Sequence, residues 1–125
     1  MDIFARHPNH DAWLASQVQK EPRVSNALLS AIGPVVYAIQ TRDGLIKIGH
    51  TGNLATRAKQ VGYGQASIIG FIRGARSDER AIHKRLDGLA VRGHEWYPWA
   101  PEVLAVVNEM RAHWGMPEIH EPRAA

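Results

Sequence analysis

Cysteine is absent from the 125 residues, so disulfides and thiolate metal sites are excluded. That absence permits a reducing compartment. Long apolar runs are missing too, and no stretch approaches the length needed to span a membrane. The opening residues, Met1-Asp2-Ile3-Phe4-Ala5-Arg6, lack the basic start and the apolar stretch of a secretory signal. A soluble, cytoplasmic protein with no membrane partner is therefore expected. A strong charge of one sign is also wanting: the formal net charge is only +3, although the pI is near 9.6. The basic residues gather between Lys47 and Arg92, which suits a phosphate-bearing partner without demanding one.

What is present suffices for one domain with a real core. The chain is organised around Val35 to Thr51, where two short apolar segments flank Asp43-Gly44, a strong hairpin signal. A two-residue turn there sets Tyr37 opposite His50, whereas a three-residue loop sets it opposite Gly49, diagonal to Lys47. Either register brings a polar group of the second strand within side-chain reach of the Tyr37 hydroxyl. A hairpin built only for packing has no need of Tyr37, Lys47 and His50.

Before the hairpin, residues 8–32 carry Trp13, Leu14, Val18, Val24, Leu28, Leu29 and Ile32 at helical spacing, with Pro22 dividing two helices. Gly33-Pro34 closes this flank and starts an extended segment. After the hairpin, Asn53 caps a helix from Leu54 to about Val61, with Leu54, Ala58 and Val61 as its apolar stripe. Arg57 shares that stripe. Such an arginine must be paired, face a ligand, or reach past the stripe's edge to water.

Ala66 to Ile72 is apolar almost throughout, as a strand covered on both faces would be, and a central place in the sheet suits it. Ser77 is a good cap for a helix from Asp78 to about Leu89, with Ile82, Leu86 and Leu89 buried. Glu79 and His83, at i and i+4, share a face of that helix. The spacing serves either two ligands of one cation or a first-turn acid paired with a surface histidine. In the aromatic segment that follows, Trp96 and Trp99 are expected to cap the core, with Glu95 and Tyr97 outward. Pro101 starts a last helix that buries Val103, Leu104, Val107, Met110 and Trp114, and the tail beyond Gly115 is expected to fray.

Taken together, Val35-Val36-Tyr37, Lys47-Ile48-Gly49, His50-Thr51, Asn53-Leu54 with Arg57, Glu79 with His83, and Gly93 with Glu95-Trp96-Tyr97 resemble the GIY-YIG nuclease superfamily. The match is closest to its compact phage and bacterial branch, which commonly writes Lys-Ile-Gly in the second half of the signature. The resemblance covers residues 35 to about 100. It implies an α+β domain, with a three-stranded antiparallel sheet flanked by helices. It divides the chain into an N-terminal helical flank (1–33), a nuclease-like domain (34–114) and a tail (115–125).

The implied activity is metal-dependent endonucleolytic hydrolysis of DNA phosphodiester bonds. By position, Tyr37 matches the tyrosine that orients or deprotonates the attacking water, Arg57 the arginine on the scissile phosphate, and Glu79 the ligand of one Mg²⁺ or Mn²⁺. A base role for Tyr37 requires Lys47, Arg57 or the metal to lower its pKa from about 10. Val35 and Val36 replace the signature glycine and isoleucine, which changes packing more than chemistry. Lys47 replaces the second tyrosine, so that hydroxyl's role is lost or passes to His50 or Tyr63. His83 is expected to support the metal or touch phosphate, and Glu95 to be structural. Lys47, Arg57, Lys59, Arg73 and Lys84 are the expected nucleic-acid contacts. A lone core of this kind binds DNA weakly unless a second copy or a partner protein adds specificity. A nucleic-acid-binding module that cleaves nothing, or a protein-interaction domain, is the alternative on the same fold.

Overall fold

The hairpin predicted around Asp43-Gly44 forms the middle of the sheet in the computed structural model, which describes residues 32–62 and 64–121. Residues 1–31 of the expected N-terminal helical flank, and Tyr63, lie outside the described residues. In chain order the elements are β1 (Val35–Gln40), β2 (Ile46–Thr51), α1 (Leu54–Val61), a 3₁₀ turn (Gly64–Ser67), β3 (Ile68–Arg73), α2 (Arg76–Arg85), β4 (Trp96–Tyr97) and α3 (Pro101–His113). Among these residues, none of the helices is long and apolar enough to cross a membrane.

The β1–β2 connection is the three-residue loop. The Gly44 N–H donates to the Thr41 carbonyl at 3.0 Å, and the Thr41 N–H donates to Leu45 at 2.8 Å. This is a type I turn followed by a left-handed residue, Gly44 at φ +83°. Tyr37 therefore stands opposite Gly49, and Val36 opposite His50. The Thr41 hydroxyl and Arg92 hold the Asp43 carboxyl below its ordinary value and tie the loop to the chain near β4.

The sheet is antiparallel, in the order β3-β1-β2-β4, with four strands rather than the expected three. The fourth, Trp96–Tyr97, pairs with Ile46 and Lys47. Two residues are too few for alternation to announce a strand. β3 is at the edge and not in the centre. Its continuous apolar run reflects cover on both faces: Gly70 leaves room for Met110, while Phe71 stacks on Trp114 with ring centroids 5.0 Å apart. α3 also serves the strand's backbone, since Arg111 Nη1 donates to the Ile69 carbonyl at 2.9 Å and Trp114 Nε1 to Phe71 at 2.7 Å.

Alternation along the strands divides the core. Val36, Ala38, Ile46, Ile48, Ile69 and Ile72 meet Ile82, Leu86, Tyr97, Val103, Val107 and Met110 on one face. Val35, Tyr37, Ile39 and Phe71 meet Ile32, Leu54, Ala55, Ala58 and Trp114 on the other. Val106, rather than the half-buried Leu104, completes the buried face of α3. The tail is not frayed up to Ile119. Asn108 exchanges two hydrogen bonds with the Ile119 backbone, and Arg111 Nε donates to the Pro117 carbonyl at 2.7 Å.

Candidate active site

Tyr37 lies flat against β2. A Cβ at Gly49 would stand 2.5 Å from the phenol oxygen and 2.7 Å from Cζ, so only glycine lets the ring rest there. The ring is fully buried, and among the described residues its hydroxyl has no well-formed hydrogen bond. Burial pushes the phenol above its ordinary value of 10; the Arg57 guanidinium opposes that shift, and the charges of Glu95 and Glu79 add to it. Of the protein's own groups the Arg57 guanidinium lowers the phenol, and burial outweighs it. These four influences nevertheless place Arg57, Glu95 and Glu79 around one hydroxyl.

Arg57 reaches this place because α1 starts on time. The Asn53 side chain accepts from the Thr56 N–H at 3.2 Å, which fixes the first turn and puts Leu54 and Ala58 inward. Arg57 is then half-buried at the margin of that stripe.

α2 begins one residue before Ser77, the expected cap. Its N-cap is Ala75, whose N–H donates to Asp78 Oδ2 at 2.7 Å, so the acid three positions on supplies the cap. The helix then presents Glu79 and His83 together, their side chains only 12 % and 18 % exposed, with His83 Nε2 3.3 Å from Glu79 Oε2. The acid–histidine pair is therefore present, on a half-buried face of α2 rather than an exposed one. Glu95 completes the group: one donor atom each from Glu79, His83 and Glu95 lies within 4.8 Å of the others, a set able to hold a divalent cation.

Glu95 also faces Lys47, Nζ to Oε2 at 3.7 Å, and the Lys47 ammonium lies 4.9 Å from the Trp96 ring centre. Arg92 is over the same ring at 4.1 Å. Trp96 shares the Lys47 side of the sheet, and Tyr97, opposite Ile46, turns into the core, reversing the expectation for Tyr97. Burial and the Glu95, Asp87 and Glu79 charges push the Tyr97 phenol up to about 12. Its hydroxyl donates to the His94 carbonyl at 3.1 Å and meets His83 Nδ1 at 2.5 Å. The His83–Tyr97 pair spans fourteen positions of sequence and no periodicity announces it.

Of the sequence-predicted site residues, the structure brings together Tyr37, Arg57, Glu79, His83 and Lys47, with Glu95 as the added member. His50, opposite Val36, is on the sheet face that α2 covers, opposite to the face of Tyr37 and Lys47. Among the expected nucleic-acid contacts, Lys59 and Lys84 are exposed, whereas Arg73 donates through Nη1 to the Ile32 carbonyl at 2.7 Å.

No curated protein and no solved structure matches the chain. The T5orf172 domain matches residues 34–115, the span that holds every residue of the site just described. The chain therefore belongs to the T5orf172 domain family, which is related to nuclease-type domains of the GIY-YIG and HNH-like kind.

Proposed function

We propose that the protein is a metal-dependent endonuclease that hydrolyses DNA phosphodiester bonds, with Tyr37, Arg57 and Glu79 at its centre. The observation that carries this reading is the uncommitted phenol. Tyr37 is buried beside a guanidinium and two carboxylates, yet among the described residues it makes no well-formed hydrogen bond. Leaving such a group unsatisfied costs about 1–3 kcal/mol, and a substrate oxygen or water would recover it.

Hydrolysis builds negative charge on the phosphorus oxygens. The Arg57 fork suits two of them, and a half-buried guanidinium acts more strongly there than it would in bulk water. With its pKa held above 10, Tyr37 works as a neutral phenol. It orients the attacking water by accepting one hydrogen bond and donates its own proton toward a phosphate oxygen. Lys47 can take a phosphate oxygen by giving up Glu95. The Glu79 carboxylate would hold Mg²⁺ or Mn²⁺, and a bound dication supplies Lewis acidity to water and to phosphate oxygen. The exposed Lys59 and Lys84 add non-specific attraction for the DNA backbone.

The test is a cleavage assay on plasmid and branched DNA with and without divalent ions, using Glu79→Gln and Arg57→Ala as controls. Cation-dependent product that both substitutions abolish is the expected result. DNA binding that survives EDTA and Glu79→Gln, with no product in any divalent ion, points instead to a binding module.

A further inference from the structure

The hydrogen bonds around Tyr97 determine which nitrogen of His83 is free. A carbonyl can only accept, so the Tyr97 O–H donates to His94 and its single proton is used. With the Tyr97 proton on that carbonyl, the phenol oxygen accepts from His83 Nδ1, the arrangement that satisfies both contacts at once and leaves Nε2 without a proton in the neutral ring. The ring is held in that orientation by stacking on Tyr97, with centroids 5.7 Å apart and planes 15° from parallel. In the neutral ring Nε2 therefore carries a lone pair, and it faces Glu79 Oε2 at 3.3 Å. Two acceptors repel at that distance unless a positive centre stands between them, either the second proton of an imidazolium or a bound cation. Glu95 brings a third acceptor into the same 4.8 Å group.

The geometry points to a three-donor centre, Glu79, His83 Nε2 and Glu95, built for a divalent transition-metal ion rather than for Mg²⁺. The inference rests on the reading of Glu79 as the metal-holding residue and extends it to the nitrogen and the second carboxylate. At a metal–donor distance of ~2.1 Å, neighbouring ligands of an octahedral ion are ~3 Å apart and opposite ones ~4 Å, so small side-chain adjustments close the observed group. An imidazole nitrogen favours the later first-row dications, while Mg²⁺ strongly prefers oxygen. Tyr97 is the positioning residue, because it fixes the proton on the nitrogen that does not bind. Lys47, 3.7 Å from Glu95, is the cation that an incoming ion displaces.

The test uses the full chain without DNA, titrated calorimetrically with Co²⁺ alone and with Mg²⁺ alone. His83→Asn is the informative variant, since its amide can still donate to Tyr97 but offers nothing at the Nε2 position. The expected result is a loss of at least ~10-fold in Co²⁺ affinity in His83→Asn, with Mg²⁺ affinity changed by less than ~3-fold. Glu95→Gln is expected to weaken both ions. A Zn²⁺-induced shift of the His83 Nε2 nitrogen resonance in the wild-type chain is the second readout, independent of any variant's folding. Unchanged Co²⁺ affinity in His83→Asn, or a Nε2 resonance that ignores Zn²⁺, overturns the inference. The two readings fail separately. A chain that binds Co²⁺ through His83 and cleaves no DNA loses only the nuclease. A Mg²⁺-dependent nuclease indifferent to His83→Asn in these titrations loses only the three-donor centre.

Discussion

The phenol oxygen of Tyr37 rests where a Cβ on Gly49 would come within 2.5 Å of it. Gly49→Ala must therefore lift the ring off β2, and overpacking of this kind costs about 1–3 kcal/mol. The expected outcome is a lowered melting temperature together with loss of cleavage. Gly44→Ala is the control: it strains a backbone at φ +83° but meets nothing within 4 Å. It should cost about 1–2 kcal/mol of stability and leave the rate per folded molecule unchanged.

Arg57 is the group that pulls the Tyr37 phenol down against burial. Arg57→Ala should raise the alkaline titration of Tyr37 further, read from phenolate absorbance against a Tyr37→Phe baseline. Cleavage should fall by about 10²–10³, as it does when one charge-stabilising donor is removed. Arg57→Lys should recover little, because an ammonium cannot present the guanidinium's planar fork.

Both site tyrosines have folded-state pKa values above 10, Tyr97 up to about 12. A phenol raised on folding stays neutral in the native state while the unfolded chain ionises. The associated stability is fully present below pH 10 and is lost as pH rises through about 12. Chemical denaturation at stepped alkaline pH should show that decline, and Tyr97→Phe should flatten it.

Tyr97→Phe also frees the His83 proton to move between the two ring nitrogens and removes the donor to the His94 carbonyl. Transition-metal affinity should drop about 10–100-fold, the usual effect of deleting a group that orients a ligand. Stability should fall by about 1–3 kcal/mol. Calorimetry and thermal melts separate the two effects.

Arg111 donates to the Ile69 and Pro117 carbonyls from a buried position. Arg111→Met keeps much of the volume and leaves those carbonyls short of a donor. The expected loss is about 1–3 kcal/mol per orphaned carbonyl, with Co²⁺ affinity unchanged. A melt and a metal titration on the same preparation check both parts.

The residues that announced themselves in the sequence are those whose signals are local. Asp43-Gly44 marked the hairpin because a left-handed glycine is what its loop needs, and Asn53 marked the start of α1 because its own side chain makes the cap. Arg57 stood out for the same reason, as a charge on an apolar stripe. What stayed hidden depends on contacts between distant residues. β4 is two residues long and exists only because Ile46 and Lys47 offer it an edge. β3 looks like a central strand because α3 and Trp114 cover it. Tyr97 faces inward because its hydroxyl donates to the His94 carbonyl and meets His83 Nδ1, a pairing of positions with no fixed spacing. Ser77 yielded its capping role to Asp78 because the chain turns into the helix at Ala75.

The side chains of α3 that satisfy the β3 backbone also decide how this protein can assemble. Arg111 and Trp114 occupy the carbonyls along β3, and at the other end the Val91 N–H donates to Trp96 at 2.9 Å while Arg92 bridges to the same residue. Among the described residues these contacts occupy part of each margin of the sheet, so strand addition there would have to displace them. Merging two copies into one sheet along β3 or through β4 would break these contacts. A second copy would meet this one with less disruption through helix surfaces or loops.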